Sequence, residues 1–529
     1  MKTDTCFQPV PARDAATAAR FFRRTFLATT ILKLALAIII PFTTDEAYFV
    51  VWGRNLDYGY YDHGAMTGWW LWVILLFRDS AWLLRLPAVL VGQFAGWGLW
   101  RMLRSIDSEK AGWAATLYLV SPVSMLNFLI TTDTPLQFFT VVAVMCVFRG
   151  VQRERLRDFF FAGLALGFAF LSKYFAVLLG VSFAVLLLGC LGRPRVKALL
   201  VLLAGTIPGV GINVAWNYLH GWVNVLFNLV TRHEKIGLNL YSPAMYLGLL
   251  LVLAGPGVLA ALLRRNALDR VPWSSAWRKM QGDGTVVLLI VFAVPLTAFF
   301  LVAFMRDVGA HWLLSFYPFF AAILFTGFSA RGLQGMIRPT AIYVGVPTAS
   351  LVLALALLPV EAFNRHPSAF NLVLSARPQD MLAELAPYRP RFLLTTPSYA
   401  KSALFGFYDR TNVPVIGLGS FHGRQDDLLT DMRAWDGRDI MIVTNNLRSF
   451  GHYDDWFART EIKQHTVHGV RMYVLLGEGF KYAVYREEVL QVIADRYYRM
   501  PAWLQHFASS SVFLDRYAIR PRPPDGATH

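Results

Sequence analysis

Cysteine is scarce in this chain of 529 residues, which contains only Cys6, Cys146 and Cys190. None of the three lies after residue 365, so no disulfide framework is expected in the C-terminal part of the chain. The sequence also has no CxxC pair and no HExxH motif. The usual spacings of zinc ligands are therefore absent.

Nucleotide-binding motifs are missing as well. We find no GxxxxGK(S/T) sequence, and no GxGxxG follows a predicted strand. Acidic residues are few, with 34 Asp and Glu against 50 Lys and Arg, which gives a formal net charge of +16. Such a charge can indicate nucleic acid binding, but the basic residues lie in the connections between apolar segments. Their distribution favours membrane topology as the explanation, with no nucleic acid partner.

Apolar residues dominate the composition. They make up 56% of the chain, and the mean hydropathy is +0.44, which is typical of an integral membrane protein. A membrane span needs about 20 mostly apolar residues. The sequence predicts eleven spans, at about 24–42, 82–100, 112–130, 134–149, 158–172, 174–191, 197–216, 243–263, 284–304, 312–329 and 340–359. The region 158–191 is interpreted as two helices that turn near Ser172 and Lys173.

The connections between these segments alternate in charge. The Lys/Arg-rich ones are RMLRSIDSEK, RGVQRERLRD, GRPRVK, RRNALDRVPWSSAWRKM and ARGLQGMIRP. The positive-inside rule places these five in the cytoplasm, together with an N-terminal segment 1–24. An odd number of crossings then places the chain after about Pro359 outside. Almost every polar residue that could take part in catalysis or binding falls on that same outer side.

Beyond residue 365 the pattern changes to short apolar runs. RFLLTTP, VPVIGLG, DIMIVTNN and GVRMYVLLGEG are predicted to be buried strands, while SYAKSALFGFYDRT and DDLLTDMRAW have helical patterns. This alternation predicts a small α/β domain. The expected organisation is a transmembrane domain 25–360 with an external first loop 43–81, an external α/β domain 361–515 and a disordered tail 516–529.

Two adjacent carboxylates, Asp45 and Glu46, follow the first apolar segment directly. Burying such a pair near a membrane surface is costly unless the carboxylates are used or paired. The residues that follow, up to Trp72, are rich in aromatic side chains and poor in charge, as in a segment that lies in the membrane interface. On this evidence alone, the pair could be functional or could mark a water-exposed helix end.

Five sequence motifs occur in a recognisable order: DEAYF, LDYGYYDHGAM, DSAWLLRLPAVLVG, TTDTPL and LSKYFAVLLG. This order resembles the protein mannosyltransferase and aminoarabinose transferase superfamily, whose members have the GT-C fold and include bacterial lipid A glycosyltransferases. The resemblance covers about residues 40–330. It implies a polytopic α-helical membrane protein of the GT-C fold with about 11 spans, followed here by a C-terminal periplasmic α/β domain.

The resemblance also implies an activity. The chain would take a sugar from a polyprenyl-phosphate donor, such as undecaprenyl phosphate, and transfer it with inversion at the periplasmic face of the bacterial inner membrane. Asp45 would orient and deprotonate the acceptor hydroxyl. Asp133, in TTDTP, matches a second acidic position of the superfamily and would support positioning or charge balance. Lipid A or another envelope glycolipid is the preferred acceptor, with a protein hydroxyl or a polysaccharide as alternatives.

The donor phosphate calls for positive charge on the same face. Lys173 in LSKYF is the leading candidate, because a lysine among apolar residues is costly unless it is used or snorkels to the interface. The remaining candidate substrate-binding residues are Glu46, Arg85, Arg232, His233 and His311. Arg85 could equally anchor a helix, and Tyr48 and Tyr317 could shape a sugar pocket or belong to an aromatic belt.

No cofactor is required by these motifs, although a divalent metal is conceivable. Asp62 and His63 in YYDHG, with His311, could provide carboxylate and imidazole ligands, but an isolated Asp-His pair is more typical of a hydrogen-bonded turn. Two other function classes remain open: a polytopic transporter or flippase for a lipid-linked glycan, and a membrane scaffold. The interruptions in GTIPGVG and AGPGVL are compatible with a transporter.

Overall fold

The computed structural model describes residues 12–233, 237–264, 273–451, 453–505, 507 and 511–522. Across this part of the chain the residues group into two compact units. The described residues of the first unit fall within 12–39, 80–211 and 237–352, and those of the second within 40–79, 212–233 and 353–522. Most of the loop predicted at 43–81 thus shares a unit with the C-terminal region. Cys6 and much of the predicted tail 516–529 lie outside the described residues.

The first unit is helical. Its helices of eight residues or more are Ala12–Ile39, Leu86–Leu103, Ser108–Leu119, Asp133–Arg153, Leu156–Phe170, Ala176–Val185, Val196–Leu219, Tyr241–Leu263, Trp273–Asp283, Val286–Ala303, Phe320–Gly327 and Ala330–Leu357, of which Val196–Leu219 and Ala330–Leu357 continue into the second unit. Shorter turns of helix are Ala81–Leu84, Pro122–Met125, Leu186–Cys190, Ala310–Leu313 and Tyr317–Phe319. Local sequence explains several ends: Asp107 caps the helix Ser108–Leu119 by accepting from the backbone N–H groups of Glu109 and Lys110.

Each of the eleven predicted spans overlaps a described helix, although 112–130 and 312–329 also contain non-helical residues. Five described helices are long and apolar enough to cross a membrane by themselves: Asp133–Arg153, Val196–Leu219, Tyr241–Leu263, Val286–Ala303 and Ala330–Leu357. The other predicted segments correspond to helices that are shorter, less apolar or interrupted. The number of eleven spans therefore stays a prediction. The break expected near Ser172 and Lys173 is confirmed, since one helix ends at Phe170 and the next begins at Ala176.

Small residues bring two helices of this unit into close contact. On Leu156–Phe170, Gly163 faces Leu202 and Gly205, and Gly167 faces Gly209, all on Val196–Leu219. A Cβ atom added to Gly209 would lie 2.3 Å from the carbonyl oxygen of Gly167. In a membrane, close backbone packing of this kind replaces the hydrophobic driving force that water provides elsewhere.

The second unit combines short helices with one sheet. Its helices of seven residues or more are Thr44–Arg54, Met66–Leu75, Val223–Leu229, Ala369–Ala376, Pro378–Leu385, Tyr399–Asp409 and Gln491–Tyr497. Shorter helical turns are Thr231–His233, Val360–Phe363, Asp426–Leu429, Met432–Trp435, Leu447–Phe450, Asp454–Trp456, Tyr482–Tyr485, Arg486–Leu490, Ala502–Gln505 and Val512–Tyr517.

The sheet of the second unit has four described strands: β1 (Leu393–Thr395), β2 (Ile440–Thr444), β3 (Phe457–Val467) and β4 (Val470–Phe480). Their order is β1-β2-β4-β3, with β1 parallel to β2 and the other pairs antiparallel. Ile442 pairs with Leu475 at the centre, and both side chains are fully buried in an apolar core.

Two sequence assignments in this region were wrong. VPVIGLG was predicted to be a strand, but it forms only an isolated bridge between Val415 and Thr396, and Gly417 and Gly419 take positive φ angles that do not occur in a strand. The strand β3 was missed, because at the edge of the sheet its sequence FARTEIKQHTV is mostly solvent-facing and polar. The predicted helix SYAKSALFGFYDRT is confirmed as Tyr399–Asp409.

Candidate functional site

The helix Thr44–Arg54, here called the Asp45 helix, begins with a capping box. Thr43 Oγ1 accepts a hydrogen bond from Glu46 N at 3.3 Å, and Glu46 Oε2 accepts from Thr43 N at 3.0 Å and from Thr43 Oγ1 at 2.9 Å. This arrangement satisfies two backbone donors at the helix N-terminus. The buried carboxylate of Glu46 thus serves the helix end, and its role as a substrate contact stays a prediction.

Asp45, the neighbour of Glu46, has a different environment. Its side chain is exposed to solvent. Tyr399, at the start of the helix Tyr399–Asp409, donates a hydrogen bond to the Asp45 carboxylate. Desolvation raises the pKa of Asp45, and the negative charge of Glu46 adds to this, while the Tyr399 hydrogen bond opposes it. Asp45 is thus an accessible carboxylate of increased basicity.

Tyr48 lies one turn after Asp45 and links the Asp45 helix to two other segments. Its hydroxyl donates a 2.5 Å hydrogen bond to Asp62 Oδ2 and accepts one from the backbone N–H of Gln425 at 3.2 Å. Its ring packs edge-on against that of Tyr399, with ring centroids 5.1 Å apart. Tyr48 is buried, which favours a supporting role in the site over membership of an aromatic belt.

The Asp62-His63 pair forms a tight turn. The backbone N–H of Tyr60 donates to the carbonyl of His63 at 3.0 Å, and Gly59 bridges Gly64. Both carboxylate oxygens of Asp62 are engaged, since Oδ1 accepts from Gly423 N at 3.2 Å and Oδ2 accepts from Tyr48. These hydrogen bonds support the interpretation of this motif as a hydrogen-bonded turn.

Burial controls the protonation of Asp62. Desolvation raises its pKa to about 6, against the lowering effects of the hydrogen bonds from Tyr48 and Gly423 and of the nearby positive charge of Arg232. Arg232, predicted from sequence to bind substrate, therefore lies in the electrostatic neighbourhood of Asp62. The side chain of His233 lies outside the described part of the structure.

A buried ion pair that was not singled out from the sequence lies next to this turn. Arg424 Nε donates to Asp427 Oδ2 at 2.7 Å and Arg424 Nη2 to Asp427 Oδ1 at 3.1 Å, a bidentate geometry. Arg424 Nη1 also donates to the carbonyls of Leu418 and Ser420. Because its donors are used in this way, Arg424 fixes the loop between Leu418 and Asp427.

In the first unit, two predicted site residues contact each other. Lys173 Nζ donates to Asp133 Oδ2 at 2.7 Å, and their side chains are 8% and 4% exposed. The other carboxylate oxygen of Asp133, Oδ1, is buried without a hydrogen-bond partner among the described atoms. Lys173 Nζ also lies 4.9 Å from the centre of the Phe175 ring. Sequence reasoning placed both residues at the outer ends of helices but did not predict this pair.

Arg85 and His311 also lie in the first unit, in contrasting surroundings. Arg85 is fully buried and donates at 3.0 Å to the carbonyl of Ala37, in the last turn of the first helix. This contact satisfies a helix-terminal carbonyl and favours the anchoring role over substrate binding. His311 is exposed on the turn Ala310–Leu313.

Metal ligands do not cluster in the described residues: no group of three or more His, Cys, Asp or Glu side chains has a geometry that could hold an ion. Both carboxylate oxygens of Asp62 already accept hydrogen bonds. We therefore derive no step through a metal.

Sequence reasoning missed Tyr399 and Gln425, which complete the surroundings of Asp45 and Tyr48. Both lie more than 300 residues further along the chain, in a region that was assigned only a fold class. It also missed Lys33, a buried lysine of the first helix that donates to Ser124 Oγ at 2.9 Å. A lysine within a long apolar segment is a recognisable signal, because its burial is costly.

Known proteins resemble this chain in sequence and in fold. Residues 62–216 match the family model described as dolichyl-phosphate-mannose-protein mannosyltransferase. The lipid A galacturonosyltransferase RgtD from Rhizobium johnstonii is 27% identical over 286 residues, which cover 52% of this chain and 58% of RgtD. The chain thus spans less than two thirds of that relative's length.

Solved structures extend the likeness to most of the fold. ArnT from Cupriavidus metallidurans in the apo state superposes with a TM-score of 0.60 at 15% identity, covering 87% of this chain and 98% of ArnT. ArnT bound to undecaprenyl phosphate gives 0.59 at 14% identity, covering 86% and 98%. At 15% and 14% identity, these structures show that the chain has the GT-C fold of ArnT. The predicted polytopic GT-C architecture is confirmed at this level.

Proposed function

We propose that this GT-C chain transfers a sugar, with inversion, from a polyprenyl-phosphate donor to lipid A or a similar envelope glycolipid at the periplasmic face of the inner membrane. The observation that carries the proposal is the contrast between two adjacent carboxylates: Glu46 is used by the helix end, whereas Asp45 is accessible and basic. Support comes from relatives, since RgtD is a lipid A galacturonosyltransferase and ArnT binds undecaprenyl phosphate.

Asp45 acts as the general base in this mechanism. One carboxylate oxygen takes the proton of the acceptor hydroxyl as that oxygen forms a bond to the anomeric carbon. The bond between the anomeric carbon and the donor phosphate oxygen breaks, and its electrons leave with the phosphate. A glycosidase needs a second carboxylic acid to protonate its leaving group, but a phosphate leaves as a stable anion. One base is therefore sufficient, and a single displacement inverts the anomeric centre.

Tyr399 adjusts this base. Its hydrogen bond stabilises the ionised carboxylate of Asp45 and fixes its orientation. Burial acts in the opposite direction and keeps the pKa above that of an ordinary aspartate. A pKa nearer to the working pH makes a carboxylate a better proton acceptor. If the acceptor atom is already ionised, as on a phosphate group of lipid A, Asp45 orients it and no proton is transferred.

Lys173 is the proposed contact for the donor phosphate, with Asp133 holding it in place. Their 2.7 Å ion pair restricts a flexible side chain to one position. A lysine interacts with phosphate as a point charge. A fixed position of the ammonium group therefore strengthens its interaction with the phosphate. Arg232, His233 and His311 remain additional candidates for phosphate binding.

The test is mass spectrometry of envelope glycolipids from cells that lack the protein, cells that carry it and cells that carry only Asp45→Asn. We expect a fixed sugar mass to be present with the wild type and absent from the other two. Asp455→Asn is the matched control, because it removes another exposed carboxylate of the same unit. It should restore the sugar fully.

Other outcomes would point elsewhere. A sugar that is lost from proteins and not from lipids would indicate a protein O-mannosyltransferase-like enzyme. Full activity of Asp45→Asn would remove the base mechanism and favour a transporter of lipid-linked glycans. The identity of the missing mass would also show whether the sugar is a hexose, a pentose or a uronic acid.

A further inference from the structure

A cavity of about 210 Å³ lies within the second unit, between the Asp45 helix and the helix Tyr399–Asp409. The residues that matter for its chemistry are Tyr48, Arg54, Tyr399, Arg410, Gln425 and Asp426. Pockets for drug-sized ligands usually measure about 300–1,000 Å³. The cavity is smaller than this range, so its size suits one sugar ring better than a longer glycan.

The two arginines of the cavity differ in how many of their hydrogen-bond donors are used. Arg54 Nη2 donates to Asp79 Oδ2 at 2.7 Å and Arg54 Nη1 donates to the Gly406 carbonyl at 2.9 Å, so its charge is compensated and its donors are used. Arg410 is exposed, and Arg410 Nη2 makes a long 3.4 Å hydrogen bond to the Asp79 carbonyl. Arg410 is thus the cation of this cavity that has donors available for a ligand.

The backbone holds Arg410 at the cavity. This residue ends the helix Tyr399–Asp409 with φ 58° and ψ 25°, in the left-handed region. Glycine or asparagine usually takes this position at a helix end, and another residue costs about 1 kcal/mol there. This strained conformation lies at the end of a helix that lines the cavity, which suits a binding role.

Other residues that line the cavity offer hydrogen-bonding groups for hydroxyls. Asp426 is half-buried, and its Oδ2 accepts from Val415 N at 2.7 Å. Burial raises the pKa of Asp426 to about 7, so the group both donates and accepts hydrogen bonds near neutral pH. The Tyr399 hydroxyl donates to Asp45 and keeps its acceptor capacity for a sugar hydroxyl.

We propose that this cavity binds one sugar ring that carries an anionic group, a carboxylate or a phosphate. Arg410 contacts the anion, while Tyr399 and Asp426 contact the ring hydroxyls. The inference rests on the proposed function in one respect: through Tyr399, a sugar in this cavity lies one side chain from Asp45. The cavity thereby assigns the enzyme a preference for acidic sugars or sugar phosphates on one of its substrates.

The binding test uses the full chain in nanodiscs of a zwitterionic lipid and measures binding by saturation-transfer NMR. D-galacturonate and D-galactose form a matched pair of probes, because they differ only in the carboxylate at C6. D-galactose 1-phosphate provides the phosphate source. We expect the anionic probes to bind at least about tenfold more tightly than galactose. If only one of the two anionic probes binds more tightly than galactose, that probe identifies the anionic group as a carboxylate or a phosphate.

Variants locate the effect. Arg410→Asn removes the guanidinium with a residue that tolerates the left-handed conformation, and it should abolish the preference for anionic probes. Arg410→Lys should retain part of it, because the charge remains without the planar fork. Asn412→Trp, at the exposed rim of the cavity, should weaken all three probes. Arg459→Gln, on the exposed face of β3, is the control and should bind as the wild type does.

Equal binding of galactose and galacturonate, no binding of any probe, or an unchanged preference in Arg410→Asn would overturn the inference. Transfer by the same samples is measured separately by mass spectrometry of the glycolipid product. A chain that shows Asp45-dependent transfer but binds no anionic sugar overturns only this inference. A chain that binds the anionic probes without any transfer contradicts only the proposed function.

Discussion

The hydroxyl of Tyr48 donates a 2.5 Å hydrogen bond to Asp62 and at the same time accepts one from the backbone of Gln425. One buried oxygen therefore joins the Asp45 helix, the turn at Asp62 and the loop that follows Gly423. The position of Asp45 depends on this junction, because Tyr48 and Asp45 are one turn apart on the same short helix.

Tyr48→Phe should destabilise the protein without removing apolar contacts. The substitution leaves Asp62 Oδ2 and the Gln425 N–H without their buried partner, which costs about 1–3 kcal/mol. Thermal unfolding of the full chain in detergent would show a lower midpoint. Tyr58→Phe is the control, because Tyr58 is 65% exposed and should give no change. An unshifted midpoint for Tyr48→Phe would show that the junction contributes little.

Tyr399→Phe should move the pH dependence of transfer. The Tyr399 hydrogen bond favours the ionised form of Asp45 and lowers its pKa, so its loss raises that pKa further. Asp45 is then ionised only at higher pH. The acidic limb of the profile of kcat/KM against pH therefore moves to higher pH. At alkaline pH, where Asp45 is ionised in both proteins, the rates should converge. A uniform loss of rate at every pH would instead indicate that Tyr399 only positions the substrate.

Asp45 and Glu46 should separate function from stability. Glu46→Ala removes one half of the capping box and should cost about 1 kcal/mol of unfolding free energy. Asp45→Asn should leave the unfolding midpoint near that of the wild type and lower the transfer rate by about 10²–10⁴-fold. Thermal unfolding and transfer assays on the same preparations measure both effects. The reverse pattern would exchange the roles assigned to these two residues.

A double-mutant cycle tests the pair Lys173 and Asp133. Lys173→Met alone leaves a buried carboxylate without a counter-charge and should destabilise the protein by about 3–5 kcal/mol. The double variant Lys173→Met with Asp133→Leu should recover most of that stability, because a pair of apolar residues replaces a buried ion pair at little cost. Transfer should stay impaired if Lys173 binds the donor phosphate. Normal transfer by the stable double variant would make the pair purely structural.

The sequence predicted well what local pattern controls. The end of the apolar run before TTDEAYF predicted the end of the first helix, which lies at Ile39. The turn predicted near Ser172 and Lys173 is the break between two helices. The burial of polar side chains and the identity of their partners could not be predicted from local sequence. The partner of Asp45 is Tyr399, and nothing local to either residue encodes their meeting. Similarly, β3 is a strand because β4 pairs with it, although its own sequence is polar.

The same reasoning explains the misassigned VPVIGLG segment. Two of its apolar residues, Val413 and Ile416, are buried as predicted, at 4% and 0% exposure, whereas Leu418 is 44% exposed. Its glycines, however, bend the chain into a loop that carries Gly423 and Gln425 to Asp62 and Tyr48. Hydrophobicity predicted the burial, whereas the backbone course depended on tertiary contacts.

The division of the second unit over three stretches of chain has a consequence for synthesis. Gln425 contacts Tyr48 across 377 residues of sequence, so at about 5–20 residues per second the Asp45 helix is made roughly 20–75 seconds before the loop that secures it. During that interval the helix lacks the junction at Tyr48. The acidic, aromatic segment therefore precedes its partners in synthesis until the last third of the polypeptide is made, so the surroundings of Asp45 are completed late in the biogenesis of this protein.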